Sequence, residues 1–216
     1  MAFWWARKKT KMVFMDVGGV IVNCDLDRYL PICCAKFHTT PEPLMREISI
    51  RVPDLERGAI DSATFWREIG ESLWRRGEGR ISDDAGLCHL WRDLMVSSLS
   101  VDEDVIRLCQ LMHRNGLRLG VLSNVIPEHA DYLRSRGIYA PFLPCIISCE
   151  IGMRKPNADI YHLAASQANV KPSECLLIDD LESNVKGAKS VGMDAYLFTD
   201  ASSLAQELLW RGLIKI

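Results

Sequence analysis

The chain is 216 residues long, 48% apolar and 25% charged, with a formal net charge of -2 and no basic block. That size suits one domain, or one core domain with a modest insertion, and the scattered charge offers no footing for a nucleic acid or an acidic lipid surface. No apolar stretch approaches the ~20 residues that cross a bilayer, so small-molecule chemistry is the class left, with no nucleic acid and no membrane as partner.

The opening MAFWWARKKTK places its basic residues after its aromatics, and Asp16 interrupts the next apolar run. This order reads as an arm ahead of the first strand, not as a signal peptide. Met12 to Met15 is too short for a helix and unbroken enough for a strand buried on both faces, as in a parallel sheet. Asp16 would stand at its carboxyl end, where open α/β sheets bind their ligands. Behind it, Gly18-Gly19 would supply the positive φ of a tight turn.

From Cys24 to about Ser100 no strand run appears, and apolar residues recur at helical spacing. Phe65, Ile69 and Leu73 share a face flanked by Trp66 and Trp74, and Leu87, Leu90, Trp91 and Leu94 repeat the pattern. The block is expected to be all helix, its aromatics forming its own core. After it come a helix ending at Gly116, the strand LRLGVLSN, a helix from about Pro127 to Gly137, the strand CIISC and a helix from about Asn157 to Asn169. The strand CLLIDD, a helix from Glu182 to Gly192, the strand AYLF and a last helix complete the series. This alternation means βαβ crossovers and a doubly wound parallel sheet of the α/β class. The helical block falls between the first and second strands, where an insertion makes a natural lid over the crevice. The expected division is a core of residues 11–25 and 101–216 and a helical cap of residues 26–100.

Eight cysteines occur, none in a C-x-x-C pair. They read as buried reduced thiols, free cysteine being a small core hydrophobe, and imply a reducing, cytoplasmic setting.

Four short motifs stand at four expected strand ends: Asp16, Ser123-Asn124, Arg154-Lys155-Pro156 and Asp179-Asp180. Singly, each has an ordinary explanation as turn, cap or surface charge. Together, a carboxylate trio, a hydroxyl-amide pair and one lysine suit a dianionic substrate and a hard divalent cation.

These stretches, VFMDVGGV, VLSN, GMRKP and LLIDDLESNVKGAKSVGM, resemble in order and spacing the four motifs of the haloacid dehalogenase-like hydrolase superfamily. The resemblance implies a Rossmann-like core with a helical cap after the first motif. It is similar to a branch of bacterial phosphatases with an Asp-x-Gly first motif that includes a sugar-1-phosphate phosphatase. It further implies that Asp16 is the nucleophile, forming an aspartyl-phosphate. Ser123 and the Asn124 amide would hold phosphoryl oxygens, Lys155 would neutralise nucleophile and phosphate, and Mg²⁺ would sit on Asp16, the Gly18 carbonyl, Asp179 and Asp180. Asn184 would hold a metal-bound water or position Lys155.

Most family phosphatases carry a second Asp where this chain has Gly18. The backbone carbonyl survives but the proton donor does not, a loss that general acid-base catalysis values at ~10² to 10⁴ in rate. Three readings follow: a phosphatase for a small phosphorylated metabolite, such as a sugar phosphate, whose leaving group needs little protonation or takes a proton from the cap; a phosphate-binding regulatory protein with little turnover; and a 2-haloacid dehalogenase, against which the two acids Asp179 and Asp180 argue. Asp25, Asp27 and His89 are candidates for a replacement acid. Arg46, Arg51, Arg57, Trp66 and His89 are candidates for substrate selection, although a solvated helix face or the core of the block would equally account for each. Nothing in the sequence sets an oligomeric state.

Overall fold

The computed structural model describes residues 10–23, 28–80, 87, 92 and 97–215. Strand β1 (Met12–Met15) is the middle of a five-stranded parallel sheet. It pairs on one side with β4 (Arg118–Ser123) and on the other with β6 (Cys175–Asp179). Outside these lie β5 (Cys145–Ile147) and β7 (Asp194–Leu197), giving the order β5-β4-β1-β6-β7.

Every residue of β1 is fully buried because the sheet is covered on both faces. Val13 and Met15 point into one cluster, with helices α4 (Glu103–Arg114), α5 (Pro127–Ser135) and α9 (Ala201–Trp210) contributing Met112, Leu133 and Leu208. Met12 and Phe14 point into the other, against Tyr161 of α7 (Ala158–Gln167) and Val185 of α8 (Glu182–Ser190). The two-residue period of the pleat thus distributes one apolar run between two cores. The chain crosses from β1 to β4 on one side and returns to β6 on the other, so the strand order reverses at β1. The crevice at the carboxyl end of β1 is therefore the topological switch point of a doubly wound α/β sheet.

Helices α1 (Tyr29–Phe37), α2 (Pro41–Glu56) and α3 (Ser62–Arg75) form the inserted block. Asp61 starts α3 by accepting the Thr64 amide at 2.7 Å. Phe65, Ile69, Leu73 and Trp66 are buried in a third cluster with Phe37, Leu44, Leu55 and Leu87. Trp66 stacks against Phe37 at 5.8 Å and meets Phe65 edge-on at 4.9 Å. Trp74 departs from the expected core and is exposed, since it lies round the helix from the Phe65–Ile69–Leu73 stripe. Leu90, Trp91 and Leu94, like the arm 1–9, lie outside the described residues.

Two differences from the periodicity stand out. A two-stranded antiparallel ribbon, β2 (Val22–Asn23) with β3 (Ser100–Val101), joins the points where the block leaves and re-enters the core. Strands of two residues carry no readable period. Strand β5 is shorter than CIISC, because Ser148 opens the single helical turn α6 (Ser148–Ile151). The six described cysteines, Cys33, Cys34, Cys109, Cys145, Cys149 and Cys175, are all free. Among the described residues no helix is long and apolar enough to cross a membrane.

Helix α8 rests on the segment after Lys155 through Gly187, where an added Cβ would lie 2.7 Å from the Pro156 carbonyl oxygen and 2.9 Å from the Tyr161 hydroxyl. Gly187→Ala is expected to lower stability by about 1 to 3 kcal/mol through this overpacking, with helix propensity working the other way. Urea unfolding of the two proteins side by side checks it; a more stable variant would mean that the backbone yields without strain.

Candidate active site

Asp16 follows β1 directly and is 6% exposed. Its Oδ1 accepts the Val17 amide at 2.7 Å, which sets the rotation of the carboxylate. Its Oδ2 lies 3.1 Å from the Lys155 ammonium. Lys155 is fully buried, and its Nζ also lies 2.6 Å from Asp179 Oδ2. One cation thus bridges the ends of β1 and β6. Asp179 has both oxygens engaged, since Oδ1 accepts the Leu181 amide and the Asn184 side-chain amide, each at 3.0 Å.

Asn124, just past β4, anchors the Lys155 backbone from both sides. Its Nδ2 donates to the Lys155 carbonyl at 2.9 Å and its Oδ1 accepts the Lys155 amide at 2.8 Å. The buried Ser148 hydroxyl in turn accepts the Val125 amide at 2.9 Å. These bonds lock the loops after β4 and β5 together. Tyr161 donates to the Asn184 carbonyl at 2.8 Å, steadying the helix turn that presents Asn184 to Asp179.

Oxygens of Asp16, Asp179 and Asp180 all lie within 4.8 Å of one another. Three carboxylates against one ammonium leave a formal charge of about -2 when all are ionised, an arrangement that a hard divalent cation fits. Burial raises the Asp16 carboxyl to about 7; Lys155 pulls it down, and the neighbouring Asp179 pushes it up. Burial and Asp179 also raise Asp180, which is half-buried. Burial works against the charge of Lys155, but Asp16 and Asp179 outweigh it and hold its pKa above the ordinary range.

Gly18, Gly19, Ser123, Asn124 and Asp180 form the polar floor of a cleft of about 710 Å³. The buried Asp16, Lys155 and Asp179 adjoin that floor, so the seven candidate site residues converge, with Gly19 beside them. The glycines differ. Gly19 has a φ of 74°, and a Cβ there would stand 2.3 Å from Asp180 Oδ2, so the turn requires glycine. Gly18 is not in the left-handed region, and a Cβ on it would meet nothing within 4 Å. The expectation that both residues serve the turn holds for Gly19 alone.

The arginines of the block do not line the cleft. Arg46, Arg51 and Arg76 surround the buried Glu47, with Arg51 Nη1 2.6 Å from its Oε2, and Arg57 pairs with Asp54. Trp66 belongs to the block's core. Asp25, Asp27 and His89 lie outside the described residues. Two lining residues carried no signal in the sequence. Glu56, at the end of α2, accepts from Arg154 Nε at 2.8 Å and Nη2 at 2.7 Å. His129, in the first turn of α5, is held neutral by burial, with its pKa lowered to about 4. Only the fold shows that either one faces the crevice.

A buried acid whose pKa rises from 3.8 to about 7 on folding is bound more tightly to its proton in the native state. The stability this gives is complete below pH 3.8 and is lost as pH rises through about 7. In metal-free buffer, Asp16→Asn should therefore be more stable than the parent at pH 8, by up to about 4 kcal/mol at 1.36 kcal/mol per unit, with no advantage near pH 3.5. Thermal melts across pH check this; an unchanged difference at both ends would mean that Asp16 is not held protonated.

Residues 10–192 match the family model of the haloacid dehalogenase-like hydrolases. The chain is 41% identical over 207 residues to the chloroplast flavin mononucleotide hydrolase 1 of Arabidopsis thaliana, covering 94% of this chain and 78% of that protein. It is 33% identical over 105 residues to the glyceraldehyde 3-phosphate phosphatase of Methanopyrus kandleri, covering 48% of this chain and 45% of that one. A HAD family enzyme of Bacteroides thetaiotaomicron, solved in complex with magnesium and inorganic phosphate, superposes with a TM-score of 0.69 at 23% identity over 90% of this chain and 98% of that one. The match of the family model over most of the chain, with its sequence motifs gathered at one switch-point crevice, shows that the protein belongs to the haloacid dehalogenase-like hydrolases.

Proposed function

We propose that the protein is a Mg²⁺-dependent phosphatase that hydrolyses a small phosphorylated metabolite through an aspartyl-phosphate on Asp16. The observation that carries this reading is the buried Lys155 ammonium shared by Asp16 and Asp179, beside a third carboxylate and under a cleft with a polar floor. The names of the Arabidopsis and Methanopyrus relatives, both hydrolases of phosphate esters, and the magnesium and phosphate bound by the Bacteroides enzyme support it. In this reading residues 26–100 cap a core of residues 11–25 and 101–216.

The Asp16 carboxylate would attack phosphorus as the ester P–O bond breaks, and water would then cleave the acyl phosphate, releasing inorganic phosphate and restoring Asp16. Lys155 would stabilise charge on both partners from its fixed position. The Ser123 hydroxyl and the Asn124 amide would hold phosphoryl oxygens, while the Asn124 side chain keeps Lys155 in place. Asp16, the Gly18 carbonyl and Asp180 would hold the Mg²⁺, which when bound supplies Lewis-acid neutralisation of phosphoryl charge. Asp179, which the resemblance places among the metal ligands, would add its negative charge and chiefly position Lys155, because its own oxygens are occupied. Asn184 would act through Asp179.

The test is a screen of phosphate esters with and without Mg²⁺. Asp16→Asn should abolish turnover, and Asp180→Ala should remove turnover together with Mg²⁺-induced thermal stabilisation. Full activity in Asp16→Asn would exclude the covalent route, and undiminished turnover in chelator would favour halide release from a 2-haloacid. Tight phosphate binding with negligible turnover of every ester would favour the regulatory reading.

The open space at Gly18 gives a sharper test. Without an acid there, the rate should fall steeply as the leaving alcohol becomes more basic. Gly18→Asp, whose Cβ would meet nothing within 4 Å, should flatten that dependence and add up to ~10² to 10⁴ on alkyl esters. A parent enzyme already indifferent to leaving-group basicity would show that another residue donates the proton.

A further inference from the structure

We infer that the phosphatase substrate carries an aromatic ring system on its alcohol, in preference to a sugar. This deepens the proposed function and rests on it. The cleft above the polar floor is large, about 710 Å³, and its walls are chiefly apolar. Helix α2 turns Met45, Ile48 and Val52 toward it at three- and four-residue spacing, one face of a helix. Leu30 of α1 and Ile126 and Leu133 on the core side complete the enclosure. Met45 borders the cleft and is 42% exposed, so part of this apolar face is open to a ligand.

A sugar phosphate needs hydrogen-bonding partners for several hydroxyls, and burying them without partners costs free energy at each one. Among the described residues, three polar side chains of the lining have partners of their own, while Asn23, Ser123, His129 and Asp180 also border the cleft. Glu56 holds Arg154, Asn124 holds the Lys155 backbone, and the Tyr29 hydroxyl lies 2.8 Å from that of Ser98. A flat apolar body asks for none of these groups and buries its surface against six aliphatic side chains. Gly18 is compatible with this class but does not separate it from a sugar: with no acid beside the leaving oxygen, an ester of an acidic aromatic alcohol departs readily, and so does an anomeric sugar phosphate, so the apolar walls carry the distinction.

The experiment uses pairs of esters that separate size and polarity from leaving-group acidity, assayed on the full-length enzyme with Mg²⁺. Phenyl and 2-naphthyl phosphate have similar leaving groups, and the added ring should lower KM about tenfold. 2-Phenylethyl phosphate and glucose 6-phosphate are both primary alkyl esters, and the former should have at least a tenfold higher kcat/KM. Val52→Asp and Ile48→Asn should bring both ratios toward one, mainly through KM; either variant suffices if the other fails to fold. Equal or better use of glucose 6-phosphate by the parent overturns the inference, as do ratios that survive both substitutions. If even acetyl phosphate, small and activated, is not hydrolysed, the phosphatase reading falls. The same pairs measured as ligands by titration calorimetry then decide the preference of the cleft by the same criteria.

Discussion

The structure turns on one buried ammonium. Lys155 has no exposed surface, and it is placed between Asp16 and Asp179, whose strands are neighbours in the sheet. Without it, the parallel sheet would gather like charges at its switch point with nothing to offset their desolvation, and the site would either take up protons or open. With it, the crevice still keeps an excess of negative charge. The raised pKa of Asp16 expresses first its burial, with Lys155 lowering it and Asp179 adding to the rise. A site of this kind is held together at some expense in stability and is ready for a cation.

Much of the remaining polar architecture serves to keep Lys155 still. It arrives on a loop, the least constrained part of a chain, yet Asn124 grips its backbone on both sides and Ser148 secures the neighbouring loop. From the other direction, Tyr161 fixes the turn carrying Asn184, Asn184 fixes Asp179, and Asp179 fixes the ammonium. Gly187 allows α8 to approach Pro156 closely enough for this chain of contacts to close. A single charge is thus positioned by several neutral hydrogen bonds.

The helical block solves a different problem. Its own core of Trp66, Phe37 and Phe65 and its buried Glu47, ringed by arginines, hold the helices to one another. This frees one face of α2 to present aliphatic side chains to the cleft. Its tie to the core motifs is the pair of Glu56 with Arg154, the residue next to Lys155. Among the described residues the block therefore meets the site through one ion pair and an apolar wall; in the proposed function, phosphate chemistry would fall to the core and recognition of the alcohol to the insertion.

The sequence by itself determined the sheet, its crossovers and the seven residues of the crevice. Buried strands are unbroken apolar runs, helices carry a 3.6-residue period, and polar residues at strand ends interrupt the pattern visibly, as Asp16 does after Met12–Met15. It also located the insertion and most of its core. Only the tertiary structure decided how each of those residues is placed and paired. Asp179 and Asp180 are adjacent and alike in the sequence, yet one ends a strand with both oxygens engaged and the other lies half-open on the cleft floor. Gly18 and Gly19 read as one turn, yet only Gly19 needs to be glycine. The candidate arginines pair within the block, Arg46 and Arg51 with Glu47 and Arg57 with Asp54, while Met45, Ile48 and Val52, ordinary helix residues in sequence, line the cleft. The reason is that periodicity records which face of an element is buried, whereas the partner that buries it comes from far along the chain, as Cys175 does for Met12, and only folding brings it there.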